Sequence, residues 1–244
     1  MQRNKIPVLC TRPLGQQLLH SAEQNGFEID IIPFIKTEAL VSEELKTQIH
    51  DFSLQNITAV FTSMNAAEAV IKELNGIKPV WRIFCIGNTT RNTLVHYFGE
   101  ESIVGDGNNA SDLAYTIIGY DNCTEVIFFC GDQRRDELPD MLSRKKIHVE
   151  EVIVYKTIPV THKISRRYDA ILFFSPSAVT SFFSDNTIDQ ETIVFAIGET
   201  TAGTIKEYCE NKIVIGEESG KQNLVNAMIT YYSSQVQQKM INRS

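Results

Sequence analysis

Small hydroxyl, amide and glycine residues recur wherever a short apolar run gives way to a polar one. They are Thr11-Arg12-Pro13, Thr62-Ser63, Gly87-Asn88-Thr89-Thr90, Gly105-Asp106, Gly131-Asp132, Ser175-Pro176-Ser177, Gly198-Glu199-Thr200-Thr201 and Gly216-Glu217. Each site reads as the end of a strand and the start of a helix. Unpaired backbone N–H groups and the positive end of the helix dipole favour an anion there, by roughly 0.3–1 kcal/mol at exposed sites. Several such ends acting on one ligand would hold a multiply charged anion. The same residue types also serve as helix caps in any α/β protein, so their chemistry alone does not separate a cap from a binding group.

The elements that must position these residues are visible as β-branched and aromatic runs, clearest in PVLC, AVFTS, RIFCIG, EVIFFCG, AILFFS and IVFAIG, each followed by an amphipathic stretch. Near-continuous apolar strands alternating with helices predict an α/β fold with parallel sheets covered on both faces. Ligands of such sheets bind beyond the carboxyl ends of the strands, which is where the hydroxyl-rich turns fall. The motifs occur twice. Ser63 corresponds to Ser175, Gly87 to Gly198 and Gly105 to Gly216, displaced by 111 or 112 residues, while Cys10, Leu18 and Lys36-Thr37 recur 120 residues on as Cys130, Leu138 and Lys156-Thr157. The chain therefore has the order A, B, A′, B′. Periodicity does not decide whether A packs with B or with B′.

Positions that differ between the halves are less easily explained by shared folding needs. Tyr155 stands opposite Ile35, so an apolar residue suffices at the equivalent place and the phenol is free for another purpose, although a packed tyrosine with a wet hydroxyl is the plainer alternative. Arg12 stands opposite Asp132 and offers a fork of donors to a carboxylate, or is a surface arginine. Arg134 and Arg135 open a predicted helix, against its dipole, with Asp136 and Glu137 beside them.

Other chemistries lack their residues. With 244 residues, 43% hydrophobic, the chain has material for two modest cores. A net charge of −7 and no basic stripe argue against nucleic acid. There is no GxGxxG after the first strand, no GxxxxGK[ST], no HExxH and no GxSxG, and the five histidines are scattered, so neither a nucleotide cofactor nor a metal is expected. Five cysteines without a CxxC pair predict buried thiols in a reducing cytoplasm. The N-terminal MQRNKIPVLCTRP predicts neither a signal peptide nor a membrane span, and the polar tail SSQVQQKMINRS is expected to fray.

The ordered set FTSMNAAEAV, CIGNTT, GDQRRDELPDML leading into VYKT, FFSPSAV and AIGETTAG resembles the uroporphyrinogen-III synthase family along nearly the full chain. The resemblance implies two flavodoxin- or Rossmann-like parallel-sheet domains joined by a two-stranded linker. The first would be discontinuous, residues 1–35 plus 160–244, with residues 38–155 as the second and linkers at 33–40 and 154–160 acting as hinges around a substrate cleft. It implies a cyclising lyase, without cofactor, that converts hydroxymethylbilane, a chain bearing eight carboxylates, to uroporphyrinogen III. Water is lost and ring D inverted through an azafulvene and a spiro intermediate. Tyr155 matches the family's cleft tyrosine and is the catalytic candidate. Thr62, Ser63, Thr89, Ser175, Ser177, Thr200 and Thr201 match cleft-lining positions, and Arg12, Asn88, Gly131 and Gly198 complete the expected substrate-binding set. Cys130 departs from the family, standing where many relatives carry an arginine before Gly-Asp. A cytoplasmic monomer in transient contact with the preceding pathway enzyme is the expected setting. The competing expectation is a non-catalytic, two-lobed α/β protein that binds a polyanionic small molecule.

Overall fold

Short apolar runs become strands here because alternate residues can be buried on both faces of a sheet. The computed structural model describes residues 5–216 and 220–241. Its first half runs through β1 (Ile6–Cys10), α1 (Gln16–Gln24), β2 (Phe27–Ile31), β3 (Ile35–Ala39), α2 (Glu43–Ser53), β4 (Thr58–Phe61), α3 (Met64–Leu74), β5 (Arg82–Ile86), α4 (Asn88–Phe98) and β6 (Ile103–Gly107). It continues with α5 (Ala110–Ile118), β7 (Glu125–Gly131), α6 (Glu137–Arg144), β8 (His148–Pro159), β9 (Ala170–Phe173), α7 (Pro176–Phe183), β10 (Ile193–Ala196), α8 (Glu199–Lys206), β11 (Ile213–Ile215) and α9 (Lys221–Ile241). All six clear apolar runs are strands.

Two sheets result, ordered β11-β10-β9-β1-β2 and β3-β8-β7-β4-β5-β6. Every pair in the first sheet is parallel, as are the pairs from β8 across to β6 in the second. Matching β7, β8, β4, β5 and β6 to β1, β2, β9, β10 and β11 gives both sheets the flavodoxin-like order 2-1-3-4-5. The A segment thus pairs with B′, and A′ with B. The chain divides into two compact units, Met1–Lys36 with Pro159–Ser244, and Thr37–Ile158.

Each sheet buries one apolar cluster on each face. In the second unit Ala59, Phe61, Ile83, Cys85, Ile127 and Phe129 pack on one side, and Val60, Phe84, Val126, Phe128 and Cys130 on the other. In the first unit Val8, Cys10, Leu172 and Phe195 oppose Leu9, Ile171, Phe173, Val194 and Ala196 in the same way. This two-residue alternation is the physical meaning of strands that look apolar throughout.

The halves differ where β8 runs unbroken for 12 residues while its counterpart is split into β2 and β3. Pro33 lies in the gap and lacks the N–H a continuing ladder would need. Two expectations are corrected. Gly105 lies inside β6, and since Asp106 pairs with Cys85 as Ile215 pairs with Ala196, Gly107 is the positional counterpart of Gly216. A one-residue register irregularity between Ile83 and Phe84 accounts for part of the shift. The tail is not frayed from residue 233, because α9 continues to Ile241. Glu217 lies outside the described residues.

Candidate active site

The most tightly built side chain at the carboxyl end of the second sheet is Tyr155. Along β7 and β8 the register runs regularly until Cys130 pairs with Ile153, and then skips so that Gly131 pairs with Tyr155. The extra residue, Val154, makes a bulge, a device that re-aims the side chain after it. Strict alternation would send Tyr155 to the face opposite Val154. Instead Val152, Val154 and Tyr155 all pack against the same cluster. The ring lies directly over Gly131, where an added Cβ would stand 2.4 Å from the phenol Cζ. Beyond the bulge, Asp132 N–H donates to the Tyr155 carbonyl (3.1 Å), and Asp132 Oδ1 accepts from Thr157 N–H (2.9 Å).

Ser63 completes the arrangement. As the N-cap of α3 its Oγ accepts from Ala66 N–H (3.2 Å) and donates to the Tyr155 hydroxyl (3.2 Å). The phenol oxygen therefore receives a hydrogen bond, and its own proton is committed to no described residue. Such a hydroxyl is ready to donate to a group arriving from outside the sheet. Thr62, half-buried, lies beside it at the end of β4.

The remaining candidates fall into two kinds of helix start, repeated in each unit. Ser63 on α3 and Ser175 on α7 use their hydroxyls as caps, Ser175 accepting from Ala178 N–H (3.2 Å) and lying 3.2 Å from Ser177 Oγ. The helices α4 and α8 start after Gly87 and Gly198, which supply no side-chain cap. The first-turn amides of α4 (Asn88, Thr89, Thr90) and of α8 (Glu199, Thr200, Thr201) are left for a ligand or solvent. Gly87 has a φ of +79°, which favours glycine, whereas Gly198 is extended and has nothing within 4 Å of an added Cβ. No backbone or packing reason in the first unit requires glycine at 198, so its value lies in leaving room for close approach to the amides.

The threonine pairs divide the same way in both units. Thr89 and Thr200 are exposed, while Thr90 and Thr201 are 5% and 1% exposed. The Thr201 hydroxyl is buried with no partner among the described residues, so Thr200 is the one open to a ligand. Arg134 is committed to Glu151 (2.5 Å) and Asp136. Burial pushes the pKa of the Cys130 thiol up to about 11, so the residue before Gly131 carries no charge near neutral pH. Arg12 is exposed at the carboxyl end of β1. Among the described residues no group of three His, Cys, Asp or Glu could hold a metal, and no helix is long and apolar enough to cross a membrane.

Two flavodoxin-like units, each carrying a hydroxyl-capped and a glycine-capped helix start, with one bulge-mounted tyrosine in the second, define a two-unit parallel-sheet α/β protein. A protein-family model described as uroporphyrinogen-III synthase HemD matches residues 16–228, and the chain belongs to the uroporphyrinogen-III synthase family, whose members are cyclising lyases. The uroporphyrinogen-III synthase of Saccharomyces cerevisiae is 24% identical over 270 residues, covering 94% of this chain and 98% of its own length. Among solved structures, a mutant uroporphyrinogen III synthase from the extremely thermophilic bacterium Thermus thermophilus and the uroporphyrinogen-III synthetase of Helicobacter pylori share the fold, with TM-scores of 0.61 and 0.63 at 13% identity. They match 95% and 93% of this chain and 99% of their own.

The open amides after Gly87 and Gly198 were expected from the sequence, whereas the bulge that aims Tyr155 and the division of each threonine pair had no signal in it.

Proposed function

We propose that the chain closes linear hydroxymethylbilane to uroporphyrinogen III, losing water and inverting ring D. The observation that carries this reading is Tyr155, fixed over Gly131 by a bulge, its oxygen hydrogen-bonded by Ser63 and its proton uncommitted. The terminal hydroxyl of the bilane needs a proton to leave as water. A hydrogen bond from Tyr155 to that oxygen assists departure, and the bond from Ser63 supports the charge that develops on the phenol oxygen. Ring D is then attacked at its substituted carbon, the spiro intermediate fragments, and reclosure at the free α-carbon releases the balancing proton. Because the free bilane closes unaided to the uninverted isomer, direction of attack matters more than acid–base power.

Eight carboxylates require many donors. Thr62, Asn88 and Thr89 supply them from one unit, and Ser175, Ser177, Gly198 and Thr200 from the other, with the Ser63 hydroxyl committed to Tyr155 and Gly131 shaping the floor beneath that ring. On this reading the segments 33–40 and 154–160 are the hinges between domains comprising residues 1–35 with 160–244, and 38–155. The reading includes a monomer, transient delivery by the preceding enzyme, and a reducing cytoplasm, the last supported by five free cysteines. A non-catalytic binder is not favoured, since the family model and the yeast relative both carry the synthase name. Incubating the purified protein with enzymatically generated hydroxymethylbilane tests the proposal: type III product is expected, and type I alone sinks it.

A further inference from the structure

Two neighbouring cations of the first unit, Arg12 and Lys221, have no carboxylate partner among the described residues. Lys221 is the first residue of the 21-residue helix α9, at the positive end of its dipole, where a cation is unfavourable. Its Nζ donates to the carbonyl of Pro13 (2.9 Å), which fixes the ammonium against the turn after β1. Arg12 projects from that same turn. Burial and the Arg12 charge hold the Lys221 ammonium's pKa below the ordinary lysine range. Among the described residues neither cation has a carboxylate partner, although Arg91, Arg134, Arg166 and Arg167 are each held by at least one.

The turn is also rigid and well placed. Thr11 N–H and Oγ1 both donate to the Leu172 carbonyl (3.1 and 2.8 Å), locking the start of the turn to β9 one residue before that strand ends. Beyond β9 come Ser175 and Ser177, so the two cations and the two hydroxyls occupy one edge of one sheet. Like charges held side by side with no counter-ion among the described residues favour an anion that offsets them.

We propose that Arg12 and Lys221 form a carboxylate clamp on the first unit, taking one or two of the acetate or propionate arms of the tetrapyrrole. The proposal rests on the synthase reading: it joins Lys221, which the sequence did not single out, to Arg12, already expected among the binding residues, as one charged subsite. The guanidinium offers a planar fork and the ammonium a second point of attachment.

The test uses the full chain with Arg12→Met, Lys221→Met and Lys221→Arg. For each methionine variant KM for hydroxymethylbilane is expected to rise about fivefold at low ionic strength, the dependence of log KM on log salt to flatten, and the product to remain type III. Lys221→Arg should stay within about twofold of wild type, since it keeps the charge. Unchanged KM in both methionine variants overturns the clamp, as does a lowered melting temperature with no change in salt dependence, which would make Lys221 only a clip on the Pro13 turn. If Glu217→Gln with Glu218→Gln destabilises the protein as much as Lys221→Met while the methionine variants keep wild-type KM, those glutamates are the pair's partners and the clamp is again overturned. Equilibrium dialysis with uroporphyrin separates the two readings. Weaker uroporphyrin binding by the methionine variants supports the clamp even if the wild type yields only type I isomer, which would sink the synthase reading alone. Equal binding by all variants overturns the clamp whatever the wild type makes.

Discussion

Replacing Tyr155 by Phe removes one hydroxyl and keeps the ring over Gly131, so its effect isolates the phenol. Turnover should fall about tenfold, the worth of one hydrogen bond to a developing charge, with no change in thermal unfolding. Unchanged turnover would strip Tyr155 of its role. Gly131→Ala tests the platform instead: its Cβ would collide with the ring, so stability should fall by about 1–3 kcal/mol in denaturant melts and activity should fall with it. The two glycine caps should part company. Gly87→Ala is strained by its positive φ and should lose about 1 kcal/mol, whereas Gly198→Ala should melt like wild type yet raise KM. At this scale the sequence exposed Tyr155 by setting it against Ile35, although strand register, in which Cys130 pairs with Ile153 as Cys10 pairs with Ile31, puts Ile35 out of step with it. It did not expose the bulge at Val154, since one extra residue in a ladder leaves no mark on composition.

The helix starts carry the next prediction. Ser63→Ala and Ser175→Ala each remove a cap and should cost about 1 kcal/mol of stability, read from urea midpoints. Only Ser63→Ala should also slow turnover at saturating substrate, because only Ser63 donates to Tyr155. Equal loss of turnover in both would mean that the serines act as substrate contacts alike. The strands were legible because burial on both faces writes itself as continuous apolar runs. The pairing of Gly105 with Gly216 misled because motif spacing ignores register, which puts the counterpart of Gly216 at Gly107. The polar face of α9 hid a helix behind a tail that looked unstructured.

For the whole molecule, the repeat announced a duplication but left open which segments share a sheet; strand order answers that with A beside B′ and A′ beside B. The apolar clusters of the second unit draw only on residues within Thr37–Ile158, a continuous stretch. A fragment of residues 37–158 should therefore fold alone and unfold cooperatively by circular dichroism, and a fragment without a transition would contradict the division. Burial pushes the Cys10 and Cys85 thiols, like that of Cys130, up to about 11, so near pH 8 all three are protonated and shielded. Alkylation followed by mass spectrometry should label the partly exposed Cys123 and Cys209 first. The central claim is that this surface directs ring closure. Its most direct test is the isomer composition of product formed from hydroxymethylbilane as protein is titrated in. The account predicts a rising share of type III over the spontaneous type I isomer, a rise blunted by Tyr155→Phe, and a product that stays type I at every protein concentration would contradict it.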